Sequence, residues 1–173
     1  MGYTTEFEGS IAISPPLSPE EIAFLTKFSR TRRMKRTKGP YFVNGTGEFG
    51  QNQDADVLDS NGPPDGQPGL WCQWTPDELG TRIEWDGGEK FYESEAWMRY
   101  LVEHFIGSAP IAAKELPFLT GHVLSGVIEA QGEDSDDHYW IIVENDAVSV
   151  IEGHRNGISG HERALIERIS NPT

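Results

Sequence analysis

GHVLSGVIEAQGEDSDDHYWIIVENDAVSVIE, residues 121–152, is the part of the chain that sets the architecture. Its short apolar runs, separated by polar and glycine residues, predict three strands, at 121–130, 139–143 and 147–151. Asn145-Asp146 between the last two predicts a tight hairpin turn. The residues expected to be buried in the first strand are Val123, Val127 and, as further candidates, Leu124 and Ile128. Consecutive strands joined by short turns indicate antiparallel pairing.

The N-terminal segment adds a strand and a helix. Glu6–Ile13 alternates between polar and apolar residues, which predicts a strand with one buried face. Ser18 can cap a helix in which Pro19 takes the first position and Glu21 completes a capping box. That helix is expected to end at about Arg30.

Two more helices and two short strands follow. Ser94 is the expected N-cap of the second helix, which places a set of mainly aromatic and apolar residues on one face: Trp97, Tyr100, Leu101, His104 and Phe105. His161–Ile169 predicts a short amphipathic third helix. The short strands are expected at Leu70–Trp74 and Thr81–Trp85.

Between the first helix and these strands, Gly39–Gly69 is rich in Gly, Pro, Asn and Asp and predicts a long loop, with one short strand at Pro40–Val43. Together these elements predict an α+β fold: a mainly antiparallel sheet with two helices packed on one face, a long Gly/Pro-rich loop and a short C-terminal helix. We expect a single domain over 1–152 and a C-terminal extension over 153–173.

Charge is the most unusual property of the composition. The net charge is −14, yet seven of the fourteen basic residues lie within positions 27–38. Such a surface repels nucleic acid, so direct nucleic-acid binding is not expected. A single cysteine, Cys72, and no signal-peptide or membrane-spanning pattern predict a cytoplasmic protein without membrane contact.

The basic segment is the first candidate site: Arg30, Arg32, Arg33, Lys35, Arg36 and Lys38. Guanidinium groups bind phosphate in a bidentate manner, and the glycines that follow at 45, 47 and 50 could add backbone donors. The segment lacks the spacing of a P-loop. The alternative is that these residues pair with nearby carboxylates and complete the helix end.

Tryptophans form the second candidate site, an aromatic pocket or partner anchor at Trp71, Trp74 and Trp85. Core packing is the alternative interpretation. The five histidines lack metal-ligand spacing and no second cysteine is available. We therefore expect no catalytic residue, no metal site and no cofactor.

Four strings carry a resemblance: GPYFVNGTGEFGQ (39–51), PPDGQPGLWCQW (63–74), WDGGEKFYESEAWMRYLVEHF (85–105) and GVIEAQGEDSDD (126–137). Together they resemble a group of small uncharacterised proteins of actinobacteria and of phages or prophages, over roughly residues 3–150. The resemblance implies no site residue. For a protein of a phage or prophage, an interaction with a host protein is an expected role.

The sequence thus predicts an acidic, non-enzymatic interaction protein that binds a macromolecular partner, most simply another protein with a basic surface. The alternative is a protein or enzyme that binds a nucleotide or another phosphorylated small molecule through the basic segment and the Gly-rich loop.

Overall fold

The computed structural model describes residues 2–45, 53–154 and 156–173. The strands are β1 (Thr5–Ser14), β2 (Lys35–Arg36), β3 (Val57–Asp59), β4 (Trp74–Pro76), β5 (Arg82–Trp85), β6 (Val123–Gly132), β7 (His138–Glu144) and β8 (Ala147–Glu152). The helices are α1 (Pro19–Arg30), α2 (Ser94–Leu101) and α3 (Gly160–Ser170). A π-helical turn, Val102–Ile106, extends α2, and a 3-10 turn follows at Ile111–Lys114.

Six strands form one antiparallel sheet in the order β4-β5-β1-β6-β7-β8. The three strands predicted from residues 121–152 are confirmed as consecutive neighbours. Asn145 and Asp146 join β7 to β8 with positive φ angles of 49° and 68°, the conformation of a type I′ hairpin turn. The α+β fold with a mainly antiparallel sheet is therefore confirmed.

The long central pair, β1 and β6, requires a glycine at one point. Gly9 has a φ of +107°, and a Cβ built on it would lie 2.4 Å from the carbonyl oxygen of Val127 on the neighbouring strand. Only glycine combines this backbone conformation with such a close approach.

Both faces of the sheet are covered, at least in part. The main core lies between one face and helices α1 and α2, and includes Phe28 and Trp97 from the helices with Ile11 and Ile128 from the strands. On the opposite face Ile169 of α3 packs with Trp140 and Ile142 of β7 in a separate cluster. The predicted boundary at residue 153 remains a prediction, although α3 does contact the sheet.

Several local predictions are wrong. Val123 is 47% exposed, because β6 turns Leu124 and Ile128 towards the main core instead. Pro40–Val43 is not a strand, whereas the short pair β2–β3 was not predicted.

Two element starts also differ from the predictions. In the 70–74 segment only Trp74 belongs to a strand. Ser94 is the first residue of α2 and not its cap; the cap position is Glu93, in a left-handed conformation. The capping box of α1, with Ser18 and Glu21, is confirmed.

Candidate functional site

The basic segment begins at the end of α1 and turns partly inward. Arg33 is 2% exposed, its guanidinium lies 4.3 Å from the centre of the Phe28 ring, and it donates hydrogen bonds to the carbonyl oxygens of Thr31 and Phe42. Burial lowers the pKa of Arg33 to about 10. Arg33 is thus packed against the hydrophobic core.

Arg36 is buried as well and is paired with acidic residues of the following loop. Its Nη1 lies 3.0 Å from a carboxylate oxygen of Asp54 and 2.9 Å from one of Asp56. Lys35 forms a more exposed ion pair with Asp65 at 3.0 Å. Lys35 and Arg36 therefore agree with the alternative interpretation of the basic segment, in which its residues pair with nearby carboxylates.

The remaining basic side chains stay closer to solvent. Arg30 is exposed, Arg32 donates to the Ser60 carbonyl oxygen, and Lys38 lies 4.7 Å from the centre of the Phe42 ring. Gly47 and Gly50, which the phosphate hypothesis also used, lie outside the described residues. Binding of a partner or an anion by this segment remains a prediction.

The π-helical turn after α2 is a second point at which the loop is attached. His104 Nδ1 lies 2.8 Å from the Tyr41 hydroxyl, and the His104 ring stacks on Tyr100 with centroids 4.0 Å apart. Burial lowers the pKa of His104. The Tyr100 hydroxyl also accepts a hydrogen bond from Gln67 at 3.0 Å. Loop residues on both sides of the undescribed segment are therefore held against α2 and its extension.

The three candidate tryptophans occupy different environments. Trp74 is 1% exposed and its indole N–H donates to the Ser94 carbonyl oxygen at 2.8 Å. Trp85 is half-buried and donates to Gln73 at 3.1 Å. Phe7 packs edge-on against Trp74 and Trp85. Trp71 is half-buried as well. For Trp74, core packing describes the environment best.

A buried polar cluster joins α1 to the segment before β6. Glu21 and His122 are each 1% exposed at their side chains, and Glu21 Oε1 lies 3.1 Å from His122 Nε2. The same oxygen accepts hydrogen bonds from the Thr120 N–H at 2.7 Å and the Thr120 hydroxyl at 3.0 Å. His122 Nδ1 lies 2.7 Å from the Pro15 carbonyl oxygen and must carry a proton, because a carbonyl oxygen only accepts.

Burial raises the pKa of the Glu21 carboxyl, but the hydrogen bonds from Ser18, Thr120 and His122 outweigh it and lower the pKa to about 2. The cluster resembles a catalytic triad only in residue types, since the side chains of Glu21 and His122 are each only 1% exposed. We interpret it as a structural contact that holds α1 against the segment before β6. Nothing in the sequence links Glu21 to His122, which lies 101 positions later.

An open groove lies where the N-terminus of the chain, the start of α2 and the end of β8 meet. It has a volume of about 490 Å³. Its aromatic members are Tyr3, Phe91, Tyr92 and Tyr139, of which Tyr92 is 61% exposed. No pattern in the sequence predicted this groove. We call it the acidic groove.

Four carboxylates and a single arginine line the acidic groove: Glu93, Glu95, Asp137, Glu152 and Arg99. Glu93 and Glu95 stand at the start of α2, where the helix dipole stabilises negative charge. Asp137 directly precedes β7 and Glu152 is the last residue of β8, so no helix dipole accounts for their charges.

Hydrogen bonds hold the walls of the acidic groove in place. Arg99 donates to Glu95 at 2.6 Å and to the Val148 carbonyl oxygen of β8 at 2.6 Å. The Tyr3 hydroxyl donates to Asp137 at 2.6 Å, and this bond raises the pKa of Tyr3. The groove therefore has fixed walls and negative charge along its rim, an arrangement suited to a cationic ligand.

Another cavity, of about 480 Å³, lies between α3 and strands β1 and β6. Its sheet side consists mainly of small residues such as Ser10, Ala12 and Ser125, which offer few specific contacts. Among the described residues, no group of three or more His, Cys, Asp or Glu side chains is placed to hold a metal ion. None of the helices in the described part of the chain is long and apolar enough to cross a membrane.

No protein-family model, no curated protein and no solved structure matches this chain. The resemblance drawn from its four sequence strings therefore remains a prediction.

Proposed function

We propose that this protein is a non-enzymatic interaction protein that binds a basic segment of a partner protein in the acidic groove. The observation that carries the proposal is the exposed aromatic side chain of Tyr92 beside a rim of four carboxylates and one arginine. Tyrosine supplies large contact area at low conformational cost, and the carboxylates supply charge complementarity.

The overall charge supports the same conclusion. A protein of net charge −14 attracts a basic surface at long range and speeds the encounter. The groove then provides the specific contacts that a diffuse negative field lacks. In this proposal the basic segment of residues 30–38 has a different role. Its buried residues Arg33 and Arg36 hold the following loop in place through a hydrogen bond to Phe42 and an ion pair with Asp56.

A triple variant tests the groove: Glu93→Gln, Asp137→Asn and Glu152→Gln. The probe is a fluorescein-labelled peptide with alternating lysine and valine, and fluorescence anisotropy measures its Kd. Loss of three solvent-accessible charge pairs with the peptide, at about 0.5 kcal/mol each, predicts about a tenfold weaker Kd. Raising the salt concentration should weaken wild-type binding in the same direction.

A matched control removes the same number of charges elsewhere, through Glu20→Gln, Glu78→Gln and Glu167→Gln, all at exposed positions. Its Kd should stay within about threefold of wild type, because these residues lie outside the groove. Equal weakening by both triple variants would show that only the overall charge matters and would refute a specific site.

One observation favours the alternative function, the binding of a small phosphorylated ligand. The Nη1 atom of Arg33 is buried and has no hydrogen-bond partner among the described residues, which is costly for a cation. A small anion there would satisfy it. Thermal denaturation with phosphate and with nucleotides tests this function, since a ligand of the folded state raises the Tm. An unchanged Tm at millimolar ligand argues against it.

A further inference from the structure

The two edges of the sheet differ in how well they are protected. The edge strand β4 has three residues and ends in proline, which cannot donate a hydrogen bond to an added strand. The opposite edge strand, β8, has six residues, contains no proline and pairs with β7 in a regular register. Regular and unprotected edges are the ones that accept further strands.

The turn between β7 and β8 determines which backbone groups of β8 face outward. A two-residue turn makes Glu144 and Ala147 a hydrogen-bonded pair, so alternate residues from Ala147 point their backbone groups towards β7. The residues between them, Val148, Val150 and Glu152, point theirs away from the sheet. The bond from Arg99 to the Val148 carbonyl oxygen confirms this direction.

The hydrogen bond from Arg99 therefore uses the outward carbonyl group of Val148. The outward backbone groups of the next residues along β8 stay available for pairing. Within the described part of the chain, neither the N–H nor the C=O of Val150 forms a hydrogen bond. Val150 and Glu152 also line the acidic groove. The open stretch of the edge and the groove are thus parts of one surface.

We propose that the basic segment of the partner binds as an extended strand that pairs with β8 at Val150 and Glu152. This inference rests on the proposed function and specifies its mode. Alternate side chains of the added strand would face the acidic groove and should be lysine or arginine. The others would face the α3 side, where Ile151 is half-buried, and should be apolar.

A second copy of this chain would be the wrong occupant. Pairing two β8 edges would bring two acidic grooves together, each with four carboxylates and one arginine, between chains of net charge −14. Like charges at an interface oppose association. Charge complementarity therefore favours a basic partner strand over self-association.

The experiment uses the peptide Lys-Val-Lys-Val-Lys-Val with blocked ends and two N-methylated versions of it, and leaves the protein unchanged. In an extended peptide alternate N–H groups point the same way, so methylating all lysine amides or all valine amides blocks one edge only. One methylated version should bind about tenfold more weakly, and the other should stay within about threefold of the parent. A peptide of the same composition in blocks, Lys-Lys-Lys-Val-Val-Val, should bind more weakly than the parent.

Each contrary outcome has a distinct meaning. If both methylated peptides bind like the parent while the groove variant still weakens binding, strand pairing is wrong and the proposed function stands. If the parent peptide does not bind at about 1 mM, both proposals are overturned. If sedimentation shows a dimer and the peptide neither binds to it nor dissociates it, the inference is also overturned, because the β8 edge is then not available to a basic strand.

Discussion

The buried pair of Glu21 and His122 allows a quantitative prediction, because the perturbed group is inaccessible to solvent. In Glu21→Gln the side chain keeps its size and loses its charge. Donors from Ser18 and Thr120 stabilise the carboxylate in the folded protein, and His122 Nε2 lies 3.1 Å from it. A glutamine replaces that carboxylate with a weaker acceptor.

The magnitude follows from the pKa of Glu21, which falls from 4.5 to about 2 on folding. This lowering corresponds to about 3 kcal/mol of folding free energy at pH 7. A lowered pKa stabilises the folded state above the unfolded pKa, and the contribution is lost as pH falls from about 4.5 towards 2. At pH 3 about half of it, roughly 1.5 kcal/mol, should remain.

The assay is urea unfolding of wild type and Glu21→Gln at pH 7, 4.5 and 3, followed by tryptophan fluorescence. We expect a difference of about 3 kcal/mol at pH 7 that falls to about half at pH 3. Glu20→Gln is the control, since Glu20 is the exposed neighbour, and it should change stability by less than about 0.5 kcal/mol. A difference for Glu21→Gln that is the same at all three pH values would refute the linkage argument.

The remaining predictions also concern unfolding free energies. Gly9→Ala places a Cβ 2.4 Å from a carbonyl oxygen of β6 and should cost about 2–4 kcal/mol, whereas Gly39→Ala, with the same sign of φ but open space around it, should cost about 1–2. Ile169→Ala should cost about 2–4 kcal/mol if α3 belongs to the cooperative unit; a loss below about 0.5 would mean that α3 docks loosely. Arg33→Met should cost about 2–3 kcal/mol because the carbonyl groups of Thr31 and Phe42 lose their donor. Lys35→Met should cost less than about 0.5 kcal/mol, and equal costs would contradict the distinction between the two residues.

Much of the sheet could be predicted because its signals are local. The hairpin of β7 and β8 follows from two apolar runs joined by Asn145-Asp146, and α1 follows from its capping box. The face of β6 could not be predicted, since Val127 packs under α3 while Leu124 packs in the main core. With apolar residues on both faces, alternation does not identify the face that lies in the main core.

The basic segment shows a different limit of sequence reasoning. Charge density is visible in the sequence, but burial is not. Arg36 meets Asp54 and Asp56, which lie 18 and 20 positions further along the chain, and only the folded loop brings them together. For this reason the sequence alone is compatible with both interpretations of the segment.

The acidic groove could not be predicted from local signals at all. Its members come from the N-terminus, the start of α2 and the β7–β8 region, as with Tyr3, Tyr92 and Asp137. They meet only because β8 is the edge of the sheet and α2 packs beside it. Strand order is a property of the whole chain, so the site emerges with the topology.

Amide hydrogen exchange at Val150 is the most direct test of the mode of binding. In the free protein the Val150 N–H should exchange faster than the Ser149 and Ile151 amides, which face β7. Adding the alternating lysine–valine peptide at saturation should slow exchange at Val150 by at least about tenfold. Saturable binding with unchanged exchange at Val150 would contradict the account.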